Sequence, residues 1–307
     1  MLQIFKRKSS LGIEITPGAL RMAMVAGTGR EKRLVTAQAE LPAGVIAGSY
    51  TLPNICDPAQ LTEAFRRCLH GLQGQPGRAA LCLPDGIFRV QTLEFDELPG
   101  KTTDRERLIR WRLEKSAAFD LADTVLRYQV LARRDSRFTI LSCIAKKTVI
   151  EQYEAMLREW GLEPWSIGLA SFSTLNFYAP YMTGRSAVHA LVHVTEEAFA
   201  TIVSENGGVR FYRFKELKRV SSQEVRARLM REVEDSLHFY SHMDRTQQSE
   251  VGHLYLSGEP GLRDALAAEL RGETSLNVEL LTPDNVLGSS GSLARDLAAA
   301  AGAGTSL

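Results

Sequence analysis

Four cysteines, Cys56, Cys68, Cys82 and Cys143, are few for 307 residues, and none stands in a Cys-x-x-Cys spacing. Their scarcity argues against a disulfide framework and against structural zinc, and it fits thiols kept reduced in a reducing compartment. Excess charge is also lacking: Lys and Arg number 37 against 36 Asp and Glu, a net charge of +1. No electrostatic case for nucleic acid or an anionic membrane follows, and the short cluster Lys6-Arg7-Lys8 does not supply one. A clean apolar span is missing too. The long uncharged stretch Trp165 to Gly184 is broken by Ser166, Ser171, Ser173, Thr174, Asn176 and Pro180, so it reads as a buried strand followed by a short helix. The N-terminal Met1–Lys8 places its charges after a very short apolar run, the reverse of a signal peptide's order, and the expected location is the cytoplasm. No Gly-x-Ser-x-Gly, Ser/Lys pair or Cys/His constellation points to a hydrolase.

What the chain does contain is a duplication. Gly12–Met24 and Leu191–Val203 lie over each other without a gap, each reading as strand, tight turn, strand. Strands are expected at 11–15, 19–26 and 33–41, with turns at Pro17-Gly18 and Gly27-Thr28-Gly29. The second copy gives strands at 187–194, 198–204 and 208–214. A length of 307 residues suits two such lobes.

Between and after the copies the reading is mixed α/β. Asp57-Pro58 opens a helix with Leu61, Phe65 (or Ala64), Cys68 and Leu72 on one face, and a strand at 79–83 ends in Pro84-Asp85-Gly86. A strand at 87–95 follows, then a helix for which Thr103 and Glu106 form a capping box and which carries Leu108, Ile109, Trp111 and Leu113. Segments 124–133 and 137–146, joined by Arg134-Asp135-Ser136, form a hairpin, so 87–146 is expected to be an inserted α+β subdomain. A helix at 148–160, a strand at 163–169 and a helix at 171–179 lead to the second copy. Beyond it come a long helix from about Ser221 to Met243 with the stripe Val225, Leu229, Val233, Leu237 and Tyr240, a strand at 254–256 and a helix at 262–270. A strand near 277–281 and an Ala-rich helix at 292–301 finish the chain, with the last six residues expected to fray.

Two surface patterns have bland explanations. His238 and His242 stand four apart on the long helix, but no third ligand of matching spacing follows, so no metal site is expected. Arg105, Arg107, Arg110 and Arg112 surround Trp111, yet Asp104, Glu106 and Glu114 interleave, as on an exposed, ion-paired helix. The strand at 87–95 beside this helix offers an edge for β-augmentation by a peptide.

With the elements in this order, the sequence resembles the PilM family of cytoplasmic actin-like proteins of bacterial type IV pilus assembly. The likeness runs through the leader Phe5-Lys6-Arg7-Lys8 before Leu11-Gly12-Ile13, then Leu108–Lys115, Phe119-Asp120-Leu121, Tyr128–Leu131, Asp235–Tyr240 and Leu254–Gly258. It implies an actin-like (ribonuclease H-like) duplicated two-lobed fold. Its parts would be 1–86 opening the first lobe, the insert 87–146, 147–186 completing that lobe, and 187–307 forming the second. It also implies a scaffold whose groove, between the first lobe and the insert, receives the cytoplasmic tail of a PilN-like inner-membrane protein. The scaffold would sit peripherally at the inner membrane through its protein partners and connect to other pilus membrane and motor components. The cytoplasmic part of the type II secretion protein GspL is similar in fold and is the alternative kinship. Actin-like lobes self-associate, so a homodimer is among the states allowed.

Active members of that superfamily hold magnesium and phosphate with an Asp, Gly and Ser/Thr in the first turn. Here Glu14 takes the Asp position, Thr16 a Gly position, and Pro17 removes a backbone donor, while Gly18 still permits close approach. In the second turn His193 replaces the Asp and Thr195 the Gly, and Glu196-Glu197 place two carboxylates where phosphate would lie. The adenosine-side glycines survive as Gly258 and Gly261 around Glu259-Pro260. The expectation is a degenerate nucleotide site without catalytic residues or a required cofactor. The competing reading is an actin-like protein that binds ATP with magnesium through Glu14, Thr16, Thr195 and Gly258 to gate its partners. A sugar-kinase-type phosphotransferase would need a carboxylate base beside intact phosphate turns, and neither turn qualifies.

Overall fold

The computed structural model describes residues 10–26, 33–72, 76–115, 120–134, 137–217, 222–243, 250–287 and 297–305. The chain opens with strands β1 (Ser10–Ile15), β2 (Ala19–Ala26) and β3 (Arg33–Glu40), then helix α1 (Pro58–Leu72) and strand β4 (Arg78–Leu83). Next come β5 (Arg89–Phe95), α2 (Thr102–Glu114), β6 (Thr124–Arg134) and β7 (Arg137–Lys146). These are followed by α3 (Lys147–Glu159), β8 (Glu163–Leu169) and α4 (Ala170–Met182). The second copy supplies β9 (Val188–Val194), β10 (Ala198–Glu205) and β11 (Gly208–Glu216), then α5 (Ser222–Met243) and β12 (His253–Gly258). It is followed by α6 (Pro260–Glu273), β13 (Asn277–Leu280), α7 (Asp284–Leu287) and α8 (Ala298–Thr305). The expected turn at Gly27-Thr28-Gly29, the Asp135-Ser136 link and the start of the last helix at 292 lie outside the described residues.

The chain divides into two compact units, residues 1–87 with 148–181 and 283–307, and residues 88–147 with 182–282. The first is built on a five-stranded sheet ordered β3-β2-β1-β4-β8. Its inner strands are buried along nearly their whole length, with Leu11, Ile13, Ala79 and Leu83 fully enclosed, as expected where both sheet faces are covered. Helix α1 packs on β2 and β3 through Leu61, Ala64, Phe65, Cys68 and Leu72. Trp160 stacks on Phe65 with ring centroids 4.0 Å apart, and its indole nitrogen donates to Thr62 Oγ1 at 3.1 Å.

The C-terminal end departs from expectation. Residues 302–305 are not frayed; they continue α8, which lies on β1, β2 and β4, so the segment assigned to the second lobe returns to the first sheet. Its seat is made of small residues: Ala80, Cys82, Ala170, Ala299 and Ala303 form one cluster. A Cβ on Gly12 would fall 1.9 Å from the Ala300 carbonyl oxygen, and one on Gly302 would fall 1.7 Å from that of Ser173. Close backbone contact, rather than large side chains, holds this helix.

The second unit repeats the topology as β11-β10-β9-β12-β13. Leu229 and Val233 of α5 and Leu266, Ala267 and Leu270 of α6 cover one face, where Val192, Val194, Leu254 and Leu256 form the core. Asn206 and Gly207, both at positive φ (50° and 78°), close the β10–β11 hairpin, as a two-residue primed turn requires. The same unit holds the three-stranded sheet β5-β7-β6 under α2, with its own core of Leu93, Phe95, Ile109, Leu113, Leu126, Ile140 and Ile144.

Helix α2 does not start from a Thr103 capping box. Its N-cap is Lys101, in extended conformation and without a side-chain cap, and the helix begins at Thr102. Arg105 explains the earlier start: its guanidinium reaches back to the carbonyls of Pro99 (3.1 Å) and Gly100 (3.4 Å), fixing the chain as it enters the helix. Trp111 points outward, half exposed, with the Lys115 ammonium 3.8 Å from its ring centroid.

Candidate functional site

The sequence-derived site residues gather into two hairpin apexes, one per unit. In the first, the Glu14↔Arg21 and Ile15↔Leu20 pairs bring β1 and β2 to a turn closed by Thr16. Its amide donates to the Ala19 carbonyl at 2.9 Å; its hydroxyl accepts from the Ala19 amide at 3.1 Å and donates to that carbonyl at 3.2 Å. The Gly18 carbonyl accepts from Leu41 at 2.9 Å, tying in the end of β3. A short hydroxyl side chain satisfying its own turn is why Thr suits this corner.

The second apex repeats these bonds. Thr195 donates from its amide to the Ala198 carbonyl (2.8 Å), accepts the Ala198 amide on its hydroxyl (3.1 Å) and donates that hydroxyl to the same carbonyl (3.0 Å). The Glu197 carbonyl takes the place of Gly18, accepting from Leu217 at 2.7 Å.

The residues just before the turns differ. Glu14 is buried, and its Oε2 lies 3.3 Å from Nη1 of Arg21 directly across the hairpin. The carboxylate that would organise a magnesium ion thus already has a cation beside it. In the second unit His193 stands at that position, with Nδ1 3.1 Å from Oγ of Ser257 on the adjoining strand β12.

Gly258 and Gly261 join His193 and Thr195 where β9 and β12 end. Gly258 has φ of 101°, and a Cβ there would lie 1.9 Å from the Val194 carbonyl oxygen, so glycine is required. The Val194 carbonyl also accepts from the Glu259 amide at 2.8 Å. The Glu259 carboxylate then turns onto the start of α6, accepting from the amides of Gly261 (2.9 Å) and Leu262 (2.6 Å). Free amides at a helix N-terminus attract anions; here a side chain of the same chain already occupies two of them.

Four participants escaped the sequence reading. Arg21 could have been found, because a turn centred on Pro17-Gly18 sets the register that pairs positions 14 and 21. Glu259 before Pro260 carries the usual sign of a helix start. Ser257 and Asp85 needed the fold. Buried Asp85 follows β4 and caps α4, accepting from the Ser171 amide at 3.1 Å and from the Ser171 hydroxyl. Between Glu14 and Asp85, burial foremost and then the charge of Glu14 push the Cys82 thiol well above its ordinary range; its sulfur donates to the Ile13 carbonyl at 3.3 Å. Such a thiol is inert packing, not a nucleophile.

The remaining candidates resolve locally. Arg110 donates to the Leu121 and Thr124 carbonyls (3.0 and 3.1 Å) and to the Thr124 hydroxyl (3.1 Å), so it and Arg105 tie down backbone, while Arg107 lies 3.8 Å from Asp104. The rings of His238 and His242 stand 4.1 Å apart, with His242 Nδ1 2.8 Å from the His238 carbonyl oxygen. Among the described residues no group of three or more His, Cys, Asp or Glu could hold a metal ion, and no helix is long and apolar enough to cross a membrane.

No protein-family model matches the sequence, and no curated protein is significantly similar to it. Solved structures do match. A PilM-PilN type IV pilus biogenesis complex superposes with a TM-score of 0.80 at 18% identity, over 97% of this chain and 98% of the other. A protein of actin-like ATPase fold from Bacteroides thetaiotaomicron gives 0.57 at 13% identity, covering 94% and 98%. The ethanolamine utilization protein EutJ from Carboxydothermus hydrogenoformans gives 0.50 at 11% identity, covering 97% and 88%. The fold is therefore actin-like, a duplicated two-lobed α/β architecture.

Proposed function

We propose that this chain is a cytoplasmic scaffold of a type IV pilus assembly machine. It binds the cytoplasmic tail of a PilN-like inner-membrane protein and does not turn over ATP. The observation that carries this reading is the likeness, over nearly the full length of both chains, to a PilM-PilN complex. The inserted subdomain of α2, β5, β6 and β7 supplies the added surface, and the outward residues Arg107 and Trp111 of α2, with Lys115 just past its end, give the tail a cationic and aromatic face. Association with the inner membrane runs through that partner.

The inactive reading of the hairpins is supported by Arg21 beside Glu14 and by Glu259 on the α6 amides. The test has two arms. Pull-down with the full chain should retain a membrane protein bearing a short cytoplasmic tail, and Trp111→Ala with Lys115→Glu should release it; a complex that survives both changes overturns the placement on α2. Calorimetry with ATP and magnesium should show no saturable heat. Micromolar binding abolished by Glu14→Ala would establish the gating alternative instead.

A further inference from the structure

We propose that the second unit carries a docking cleft for an extended acidic peptide, at the place where β5 begins and β11 ends. A cavity of about 490 Å³ opens there, lined by Arg89, Tyr212, Arg213, Lys215, Glu216 and Arg228 together with Phe88 and Phe214. Two features of the fold meet in it. Among the described residues β5 ends the sheet β5-β7-β6 and β11 ends the sheet β11-β10-β9-β12-β13, and the two end strands approach each other here without pairing as strands. Such an edge accepts a guest strand by main-chain hydrogen bonding.

The second feature is charge. Four cations, Arg89, Arg213, Lys215 and Arg228, line the cleft against one carboxylate, Glu216. Behind them Glu232 of α5 serves two at once, lying 3.5 Å from Arg213 Nη2 and 3.4 Å from Lys215 Nζ. Arg213 and Lys215 stand two apart on β11, hence on one face and roughly 7 Å from each other along the strand. A guest strand repeats its side chains at the same interval, so the matching ligand carries Asp or Glu at alternate positions. Glu232 shows where such a carboxylate sits and competes with it.

Isolated cations that guard an edge against aggregation would not need a recess, whereas here they line one with Tyr212, Phe88 and Phe214 as apolar walls. A peptide fits better than a nucleic acid, because the strand edges supply backbone pairing and the net charge of +1 supplies no field for a polyanion. The cleft involves no residue of the α2 stripe assigned to the tail, so the two proposals fail independently.

The probe is a fluorescein-labelled short peptide of alternating Glu and Val, titrated into the full chain and followed by anisotropy. Saturable binding is expected, weakened when salt rises from about 0.05 M to about 0.3 M and absent for the Lys-Val counterpart. Arg228→Glu and Lys215→Ala should each weaken it about ten-fold, and N-methylation of alternate peptide amides should do the same. Glu232→Gln should tighten binding, an opposite sign that loss of folding cannot mimic. The proposal is overturned by absence of saturable binding, by affinity indifferent to Glu232→Gln and Arg228→Glu, or by equal binding of a single-stranded oligonucleotide with no effect of N-methylation.

Discussion

The two hairpin apexes share their turn bonds and differ in the residues that precede them. Thr16 and Thr195 close identical turns, each followed by a carbonyl that receives a leucine amide from the third strand. One position before the end of the first strand, Glu14 faces Arg21 whereas His193 faces Ser257. The faces diverge in size as well. Gly12 lies beside Ala80 in the first sheet, whereas Leu191 lies beside Tyr255 in the second, all four with little or no exposed surface or, for Gly12, in backbone contact. Hydrogen-bonded geometry is therefore common to the copies, while what each buries is individual.

Exchanging the copies' residues breaks this comparison most severely at Gly12. Gly12→Leu installs the second unit's residue where Ala300 leaves no room, and should cost at least ~3 kcal/mol in urea unfolding by unseating α8. Gly258→Ala should cost about 2–3 kcal/mol in the same measurement, because both its φ and the Val194 carbonyl oppose a Cβ. Thr16→Ala and Thr195→Ala should each cost about 1 kcal/mol, and near-equality of the two would sharpen the equivalence of the turns.

The smallest effect is a pH dependence confined to the second unit. Burial, with neighbouring His253 in the same direction, lowers the pKa of His189, while the Ser186 backbone opposes it; Tyr255 faces the ring edge-on. Below its ordinary value of 6.5 the unfolded chain binds the proton first, so stability should fall as pH drops through that value toward the lower folded pKa. Melting temperatures measured across this range should fall with pH for the wild type and fall less for His189→Phe, which lacks the imidazole.

Legibility in the sequence followed the range of the forces. The hairpins were readable because their determinants, a Thr, a Gly or acidic residue and alternating apolar positions, lie within a few residues of one another. The stripe Val225, Leu229, Val233, Leu237 and Tyr240 was readable for the same reason, and all five pack in the second core. The Ala-rich helix near the end was readable as a helix, but its extent to Thr305 and its seat on the first sheet were not, since Ala and Gly on every side give no apolar period and its partners Gly12 and Ser173 are distant in sequence. The cap of α2 misled because Arg105, binding backwards to Pro99 and Gly100, set the start of the helix in place of Thr103. Of the candidate site, Glu14 was visible from its place in the turn motif, whereas its partner Arg21 follows only once the hairpin register is applied, because charge pairing depends on register and not on composition.

The seating of α8 on β1 has a consequence for synthesis. Strand β1, the first of the described elements, has a backbone groove shaped for a helix translated after all the others. Every residue of the second unit is made before that groove can be filled. Covering of this sheet face thus waits until the second unit has been made, and an interruption of translation near residue 297 would leave β1, β2 and β4 without the helix that seats on them.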